Sequence, residues 1–257
     1  MAFNKIIGDS MRKLFTLAIF ALTLLIAQPS VAADAFTKEQ RAEIENIVRE
    51  LITNKEPEIL KTAIQNIQKK EMAAAEAKTK ETLKSEKKRI YNDSNTPVGG
   101  NPKGKVVIVE FFDYTCGYCK RAEESIAKLV ASDKDVKIIY KHFPILGPNA
   151  LEAAKAALAS VSQKKFQKFH DALMGSNTPL TTDKIMEIAK SVGIDTDKLK
   201  KDMADAKIQT ILDDSMALGR ELGVEGTPFF IVNDAIFPGI LQYDQLKQII
   251  ADQKAKK

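Results

Sequence analysis

Two cysteines, Cys116 and Cys119, are the residues of this sequence best suited to chemistry. They are the two cysteines of the chain and stand in the order Cys116-Gly117-Tyr118-Cys119. A thiolate is a strong nucleophile, and two thiols at this spacing can close into a disulfide with each other. Because two cysteines allow at most one intramolecular disulfide, the chain is not a small domain held together by disulfides. The spacing predicts either a redox-active pair or half of a metal site.

The elements around the pair place it at the start of a helix. Residues 105–112 are almost continuously apolar and predict a strand buried on both faces, and residues 136–143 predict another. A helical pattern at residues 119–131 connects them into a β-α-β unit. Unpaired amides at a helix start stabilise a thiolate at Cys116 and lower its pKa below the usual ~8.5. We therefore predict that Cys116 attacks and that Cys119, one turn along and less exposed, resolves mixed disulfides.

Two other interpretations of the pair need features that this sequence lacks. A zinc site requires two further ligands, and His142 and His170 are 28 residues apart, whereas zinc-binding histidine pairs are roughly three to five residues apart. A purely structural disulfide across so short a loop removes almost no entropy from the unfolded chain. We therefore expect no metal ion and no cofactor.

A proline lies at the head of a third predicted strand. Residues 226–232 contain Thr227 and Pro228, followed by apolar residues only. A proline cannot donate a backbone hydrogen bond, which confines it to a strand start, an edge or a bulge. We hypothesise a cis Thr227–Pro228 bond that faces the cysteines and leaves backbone groups of Thr227 free to pair with a bound peptide. An ordinary trans proline is the alternative, since trans is the commoner state.

Length and composition describe a folded, globular chain. Its 257 residues are 44% hydrophobic and 28% charged, which suffices for one good core and an accessory segment. The formal net charge is +5, and Lys5, Arg12 and Lys13 against Asp9 place +2 of it in the first 33 residues. The remaining +3, in a chain with 34 acidic residues, does not indicate a nucleic-acid-binding protein.

The amino terminus has the three-part pattern of an export signal. Basic residues precede an uncharged run at residues 14–27, and small residues follow it up to Ala33. Residues 1–33 are therefore predicted to be a signal peptide cleaved near Ala33, with Met1 or Met11 as its start. An uncleaved membrane anchor is the alternative, although a membrane span needs ~20 apolar residues. The mature protein is expected to act outside the cytoplasm.

Residues 34–92 are predicted to form helices that join chains together. This segment has no glycine and one proline, and Thr37 and Gln40 have the spacing of a capping box. Two predicted helices carry heptad-like apolar stripes, formed by Ile44, Val48 and Leu51 and by Leu60, Ile64 and Ile67. We favour self-association through these stripes into a homodimer or homotrimer. Folding back onto the rest of the chain is the alternative.

The remaining sequence divides into a linker and a mixed region. Residues 93–104, with two prolines and three glycines, predict a linker. A run of helices that end at glycines, at about residues 148–223, separates the second predicted strand from the third. Residues 243–253 predict an amphipathic helix that packs on the sheet. The predicted fold class is therefore α/β with a helical insert.

The order of these motifs resembles one known family. Residues 111–119 (Phe-Phe-Asp-Tyr-Thr-Cys-Gly-Tyr-Cys), 142–145 (His-Phe-Pro-Ile) and 223–230 (Gly-Val-Glu-Gly-Thr-Pro-Phe-Phe) occur as in the DsbA family of periplasmic disulfide oxidoreductases. The similarity begins at about Pro102 and implies a thioredoxin fold over residues 105–257, with the insert as a helical cap. Within the family the chain is most similar to oligomeric oxidase/isomerases with an N-terminal helical segment, including the Com-type surface antigens.

The resemblance implies roles for individual residues. Cys116 matches the nucleophile of the family, Cys119 the resolving cysteine and Pro228 the cis-proline. Glu110, six residues before Cys116, matches a buried acidic residue that accepts or passes the proton of the resolving thiol. The alternative for Glu110 is an exposed glutamate on an edge strand.

The residues between the cysteines depart from the strongly oxidising members of the family. Those members carry Pro-His there, whereas this chain carries Gly117 and Tyr118, which with Thr227 are expected to contact the substrate. Tyrosine has no positive charge, so we predict a less depressed pKa for Cys116 and a less oxidising potential. A threonine before the cis-proline resembles the isomerases of the family.

Together these features predict an enzyme that forms and isomerises disulfide bonds in exported proteins of the periplasm. Its expected partners are unfolded or misfolded exported proteins and a membrane redox partner that is DsbB-like or DsbD-like. A simple monomeric oxidase is the second possibility. A non-enzymatic envelope scaffold or surface antigen is a third.

Overall fold

The structure, a computed structural model, describes residues 36–55 and 57–255. These residues fall into two compact units, of which the first ends at Lys69 and the second begins at Lys70. The predicted signal peptide, residues 1–33, lies outside the described residues. Among the helices of the described ranges, none is long and apolar enough to cross a membrane.

The first unit is helical. Helix α1 spans Lys38–Glu50 and begins with the predicted capping box, in which the side chains of Thr37 and Gln40 each accept a hydrogen bond from the other residue's amide. It continues into a π-helical turn at Leu51–Lys55, and helix α2 spans Pro57–Ser85 and extends into the second unit. Helix α1 has no buried residue.

The second unit is built on a five-stranded mixed sheet. Its strands are β1 (Val98–Gly100), β2 (Val106–Phe112), β3 (Val136–His142), β4 (Phe229–Val232) and β5 (Ala235–Pro238). They lie in the order β1-β3-β2-β4-β5, with β2 and β3 parallel and the other pairs antiparallel. The strands predicted around residues 105–112, 136–143 and 226–232 are confirmed. Strand β1 lies inside residues 93–104, which we expected to be a linker.

Besides the end of α2, the described part of this unit contains eight α-helices. They are α3 (Lys87–Tyr91), α4 (Gly117–Ser132), α5 (Pro148–Ser160), α6 (Phe166–Met174), α7 (Thr182–Ser191), α8 (Thr196–Met203), α9 (Ala206–Glu221) and α10 (Tyr243–Ala255). The predicted β-α-β unit is β2-α4-β3. Helices α5 to α9 form the predicted insert, and the fold is the predicted thioredoxin fold with a helical insert.

The central strand β2 is covered on both faces, as its apolar sequence predicts. Ile108 and Phe112 belong to a core cluster that includes residues of α4 and of the insert. Val109 and Phe111 point to the opposite face and belong to a second cluster. The side chains of β2 are therefore buried between the two clusters. This burial is what changes the pKa of Glu110.

The second core cluster contains residues that we expected in the oligomerisation segment 34–92. Leu83 and Ile90 are 6% and 0% exposed and pack with Leu218 and Leu222. Next to them, the guanidinium group of Arg89 bonds to the carboxylates of three residues, Glu86, Asp214 and Glu221. The last part of the 34–92 segment therefore belongs to the core of the second unit.

Candidate active site

Cys116 occupies the junction between strand β2 and helix α4. The chain leaves the sheet at Phe112, and the amide of Cys116 donates to the carbonyl of Asp113 at 3.1 Å. Cys116 is the N-cap residue of α4, with extended backbone angles, and the helix proper begins at Gly117. Its sulfur therefore lies where the first amides of the helix have no partner within the helix.

The two thiols ionise in opposite directions. The pKa of Cys116 is lowered to about 5, first because Cys119 donates a hydrogen bond to its sulfur, and further by the side chain of Thr227 and the amides of Cys119 and Tyr118, while burial opposes the shift. The pKa of Cys119 is raised, because its proton is engaged with Cys116, because it is buried and because the charge of Glu110 is near. Cys116 is 6% exposed and Cys119 is 0% exposed. The lower pKa of Cys116 is in the direction that a position at the helix start predicts.

The predicted cis-proline lies against the nucleophile. The Thr227–Pro228 peptide bond is cis, and the Sγ of Cys116 donates to the carbonyl oxygen of Thr227 at 3.3 Å. Pro228 is buried just before β4, and Thr227 is half-buried. The cis geometry hypothesised from the sequence is confirmed, and it faces the cysteines.

Glu110 lies on the central strand beneath the pair. It is 0% exposed, in register between Tyr140 of β3 and Phe230 of β4, so it is not an exposed edge residue. Neither carboxylate oxygen has a hydrogen-bond partner. Burial raises the pKa of Glu110 well above its usual range, and the charges of Glu123 and Cys116 raise it further.

Sequence reasoning missed Glu123, which belongs to the same electrostatic system. It lies on α4 one turn after Cys119, and its charge contributes to the raised pKa of Glu110. A carboxylate at position i+4 after the resolving cysteine was the available signal, because this spacing keeps both side chains on one face of the helix.

A cluster of aromatic and histidine side chains packs behind the pair. The hydroxyl of Tyr114 is 2.9 Å from His170 Nδ1, and Glu123 Oε2 is 3.3 Å from His170 Nε2. His170 is fully buried on α6 of the insert. These contacts connect the helical insert to the active-site helix.

Within the described ranges, one group of side chains has ligand atoms close enough to hold a metal ion. It consists of Glu123, His170 and Asp171, whose ligand atoms lie within 4.8 Å of one another. Tyr114 and Glu123 already engage both ring nitrogens of His170. The hydrogen bond between Glu123 and His170 accounts for the proximity of these two residues, Asp171 is the next residue along the chain and accepts from Gln167, and the two cysteines are not part of the group.

The residues between the cysteines face outward. Tyr118 is 59% exposed, and the guanidinium carbon of Arg121 lies 4.4 Å from the centre of its ring. A side chain at Gly117 would meet no other atom within 4 Å. A cavity of about 1010 Å³ opens beside Gly117, between α4 and α6. Two of the expected substrate-contact residues, Gly117 and Tyr118, are therefore exposed beside the pair.

Comparison with known proteins places these features in a family. The model of the DSBA-like thioredoxin domain matches residues 107–251. The structure is similar to that of a thioredoxin-like oxidoreductase from Silicibacter pomeroyi, with 43% identity and a TM-score of 0.64 over 66% of this chain and 98% of that one. It is also similar to ScsC from Proteus mirabilis in a transitional conformation, with 34% identity and a TM-score of 0.64 over 87% of this chain and 99% of that one.

A curated relative carries the match within a much longer protein. It is the Na(+)/H(+) antiporter NhaA 3 of Salinispora tropica, 29% identical over 138 residues, which are 53% of this chain and 21% of that protein. The chain therefore spans about a fifth of the length of this relative. The family model alone covers more than half of the chain and includes both cysteines, Glu110 and Pro228. The chain belongs to the DsbA-like thioredoxin domain family.

Proposed function

We propose that this protein is a periplasmic thiol–disulfide oxidoreductase that forms and isomerises disulfide bonds in exported proteins. The observation that carries the proposal is the opposed ionisation of two neighbouring thiols: the pKa of Cys116 is lowered to about 5 and that of Cys119 is raised. At neutral pH the first sulfur is a nucleophile and the second keeps its proton. One pair serves oxidation, reduction and isomerisation, because all three proceed by thiolate attack on a disulfide.

The exchange begins when the Cys116 thiolate attacks one sulfur of a substrate disulfide. A bond forms between Cys116 and that sulfur, and the other substrate sulfur leaves as a thiolate. In isomerisation, this thiolate attacks a second disulfide of the substrate, and a substrate thiolate finally displaces Cys116 with no net transfer of electrons. In reduction, Cys119 attacks Cys116 and the substrate leaves as a dithiol. Oxidation follows the same steps in reverse.

We propose that Glu110 exchanges a proton with Cys119 during the reaction. In the oxidising direction Cys119 leaves as a thiolate inside the core, where a charge is poorly solvated. Because burial raises the pKa of Glu110, its carboxyl group holds its proton to higher pH than an exposed glutamate does, and it can deliver that proton to Cys119. In the reducing direction the carboxylate takes the proton back before Cys119 attacks.

We place the substrate chain between Thr227 and the residues that separate the cysteines. The Thr227 carbonyl already accepts a hydrogen bond from Cys116, so a peptide that bonds to this sulfur comes within reach of the Thr227 backbone. Gly117 and Tyr118 are exposed beside it. Pro228 has no amide hydrogen to donate there, and its ring restricts the backbone at this point.

We propose that residues 34–92 join two or three copies of the chain, mainly through the part before Lys70. The supporting observation is that the predicted stripe residues are between 37% and 56% exposed in the single chain, namely Ile44, Val48, Leu51, Leu60, Ile64 and Ile67. Large apolar side chains at heptad-like spacing gain free energy by burial against another helix, and a second copy offers the same surface. Several active sites in one assembly would favour isomerisation of an unfolded substrate.

The proposal includes export and a redox partner. The predicted signal peptide at residues 1–33, cleaved near Ala33, supports a location in the periplasm. An oxidase must be reoxidised and an isomerase kept reduced, so we propose a DsbB-like or DsbD-like membrane partner. The substrates are unfolded or misfolded exported proteins.

Refolding of ribonuclease tests the activity and its direction. We expect reactivation of both reduced and scrambled ribonuclease by the full chain, and loss of both on Cys116→Ser. Reactivation of reduced ribonuclease alone would identify a simple oxidase. No reactivation of either would contradict the enzyme and favour a scaffold or surface antigen. Trapping of the thiols in cells measures whether the pair is held oxidised, reduced or mixed.

A further inference from the structure

A groove runs along helix α4, starting beside the cysteines. It is the cavity of about 1010 Å³ that opens beside Gly117, and residues of α4 line it at every turn as far as Lys134, just after the helix. The helix has 16 residues and is therefore about 24 Å long. An extended polypeptide of about seven residues covers that length. We call this cavity the α4 groove.

Polar groups that can bind a polypeptide backbone lie along the α4 groove. Tyr140 of β3 is 2% exposed and lines the groove, and its hydroxyl interacts with the side chain of Gln167 on α6. Both side chains can donate and accept hydrogen bonds, as the backbone of a bound chain requires. A Cβ atom at Gly99 of β1 would lie 2.7 Å from the Tyr140 ring and 2.8 Å from Gln167 Oε1. The glycine therefore leaves room for both side chains at the groove.

The cations of the α4 groove that are nearest to Cys116 already have partners. The ammonium group of Lys120 donates to the carbonyl of Ser176, and the guanidinium group of Arg121 lies over the ring of Tyr118. Both cations line the groove. Because the protein itself holds these two cations, they do not neutralise the carboxylates further along the groove.

Two carboxylates in the middle of the α4 groove remain for a ligand. Glu124 of α4 and Asp171 of α6 line the groove from its two helices, and both are exposed. In the part of the chain that the structure describes, no lysine or arginine forms an ion pair with either of them. Asp171 accepts a hydrogen bond from Gln167, which leaves its charge in place. The middle of the groove is therefore complementary to a cationic side chain.

The position of Glu124 fixes where that cationic side chain must stand in a substrate. Glu124 is eight residues after Cys116 in the sequence, about 12 Å away along the helix axis. An extended chain covers this distance in about three to four residues. A side chain that meets Glu124 therefore belongs to the third or fourth residue from the cysteine that is bonded to Cys116.

We propose that the α4 groove binds the segment of an unfolded polypeptide next to its reacting cysteine, and that Glu124 and Asp171 select segments with a lysine or arginine at the third or fourth position. This inference rests on the proposed exchange activity of Cys116 and deepens it. The substrate chain passes the Thr227 backbone on one side of Cys116 and continues into the groove on the other. Glu124 and Asp171 decide which substrates bind well and do not touch the reacting sulfurs.

The experiment measures the attack of Cys116 on three activated peptide disulfides, with reduced full-length protein. Each peptide has one cysteine, bonded to thionitrobenzoate, and carries lysine, glutamine or glutamate at the third position on both sides of it. Cys116 bonds to the peptide sulfur, and thionitrobenzoate leaves as a coloured thiolate that reports the second-order rate constant. Division by the rate constant of each peptide with N-acetylcysteine removes differences in intrinsic reactivity.

The lysine peptide should react about fivefold faster than the glutamine peptide, and the glutamate peptide should react more slowly than both. These differences should shrink as the ionic strength rises, because salt screens exposed charges. In Glu124→Gln with Asp171→Asn, the lysine peptide should lose its advantage over the glutamine peptide. An advantage that persists in this double variant would overturn the proposal, and so would an equal loss of rate with all three peptides.

Glu225→Gln is the matched control for charge. Glu225 is exposed and lies two residues before Thr227, on the other side of Cys116, and the change removes the same charge as Glu124→Gln. We expect the preference for lysine to be unchanged in this variant. If Glu225→Gln abolished it instead, the cationic side chain would bind on the Thr227 side and the proposal would be wrong.

Ala127→Trp tests the groove independently of charge. Ala127 is exposed and lines the α4 groove, so a tryptophan there fills space that the peptide needs. The rate constant for the glutamine peptide should fall relative to that for the thionitrobenzoate disulfide of cysteine alone. An unchanged ratio would show that the peptide does not occupy the groove. Wild-type protein that reacts with none of these disulfides would contradict the exchange activity itself.

Discussion

The thiol of Cys116 donates a hydrogen bond to the carbonyl oxygen of Thr227 at 3.3 Å, although 111 positions separate the two residues in the sequence. The donor exists only while the sulfur carries its proton. When Cys116 ionises, the Thr227 carbonyl loses this partner and can accept from the amide of a bound peptide. In the proposed mechanism, ionisation of Cys116 and release of the Thr227 carbonyl for a substrate are therefore the same event.

Alkylation of reduced protein should show the ionisation of Cys116 directly. Its rate should rise with pH to a half-maximal value near 5, because the thiolate is the reactive form. Cys119 should stay unmodified at the same pH values, since its pKa is raised. Replacement of Cys119 by alanine removes the hydrogen bond that stabilises the thiolate, so the midpoint should move upward. Mass spectrometry after iodoacetamide labelling measures the modification of Cys116, the modification of Cys119 and the shift of the midpoint in the alanine variant. A wild-type midpoint of ~8.5 would contradict the lowered pKa of Cys116.

Glu110→Gln should change the dependence of stability on pH. The pKa of Glu110 is raised in the folded state, so its protonated form is the one that the fold favours. Its contribution to stability is complete below the unfolded-state pKa and is lost as the pH rises from there to the folded-state pKa. This loss approaches about 1.4 kcal/mol for each pH unit. Melting temperatures of the oxidised protein at pH 4 and pH 7.5 should therefore show the variant gaining on wild type at the higher pH, and parallel curves would refute a buried, protonated Glu110.

Tyr118→His should make the protein more oxidising. A protonated imidazole between the cysteines stabilises the Cys116 thiolate of the reduced form, which raises the reduction potential. Each ~1.4 kcal/mol of added stabilisation corresponds to about 30 mV. Equilibration with glutathione measures the potential. Tyr118→Phe, which changes the ring without adding a charge, should leave the potential close to that of wild type.

Charges placed in the apolar stripe of the first unit should separate the chains. Leu60 and Ile64 are 49% and 45% exposed in the single chain. Leu60→Glu with Ile64→Glu would bury two carboxylates in the proposed interface, which is unfavourable without partners. Light scattering coupled to size-exclusion chromatography should report a monomer, with isomerisation reduced more than oxidation. Gln65→Glu on the same helix is the control for added charge, and an unchanged mass in the double variant would show that the stripe is not the interface.

Ile90→Ala should destabilise the second unit. Ile90 is 0% exposed in the core cluster that also holds Phe111 and Ile231. Removing a buried aliphatic side chain costs about 2–5 kcal/mol, so the midpoint of chemical denaturation should fall clearly. Met72→Ala, at a residue that is 72% exposed, should have little effect. A small effect at Ile90 would argue against the role of α3 in this core.

Features encoded locally could be predicted from the sequence. The apolar run of β2 and the capping box of α1 each depend on neighbouring residues, and both are present. The placement of Cys116 at the start of α4 follows from the same local pattern. The likeness of ordered motifs to one family then directed attention to Glu110, which lies within the same apolar run.

Features that depend on distant partners could not be predicted. Strand β1 has three residues, two of them glycines, and exists through pairing with β3, where Val98 lies opposite Ile139. Ile90 is buried because the second face of the sheet needs cover, which the helical pattern around it does not indicate. Asp113 follows a strand like many turn residues, and its carboxylate accepts hydrogen bonds from backbone amides that lie 32 and 33 residues away.

The buried proton of Cys119 sets the lifetime of a covalent complex. Once Cys116 is bonded to a substrate, it no longer accepts the hydrogen bond from Cys119. Burial then still raises the pKa of Cys119, and so does the charge of Glu110 whenever its carboxyl group has given up its proton. The resolving sulfur then attacks only during the brief intervals in which it is ionised. In the proposed mechanism a trapped polypeptide therefore gains time to try other disulfide pairings, and the protonation of one internal carboxyl group regulates how long that time lasts.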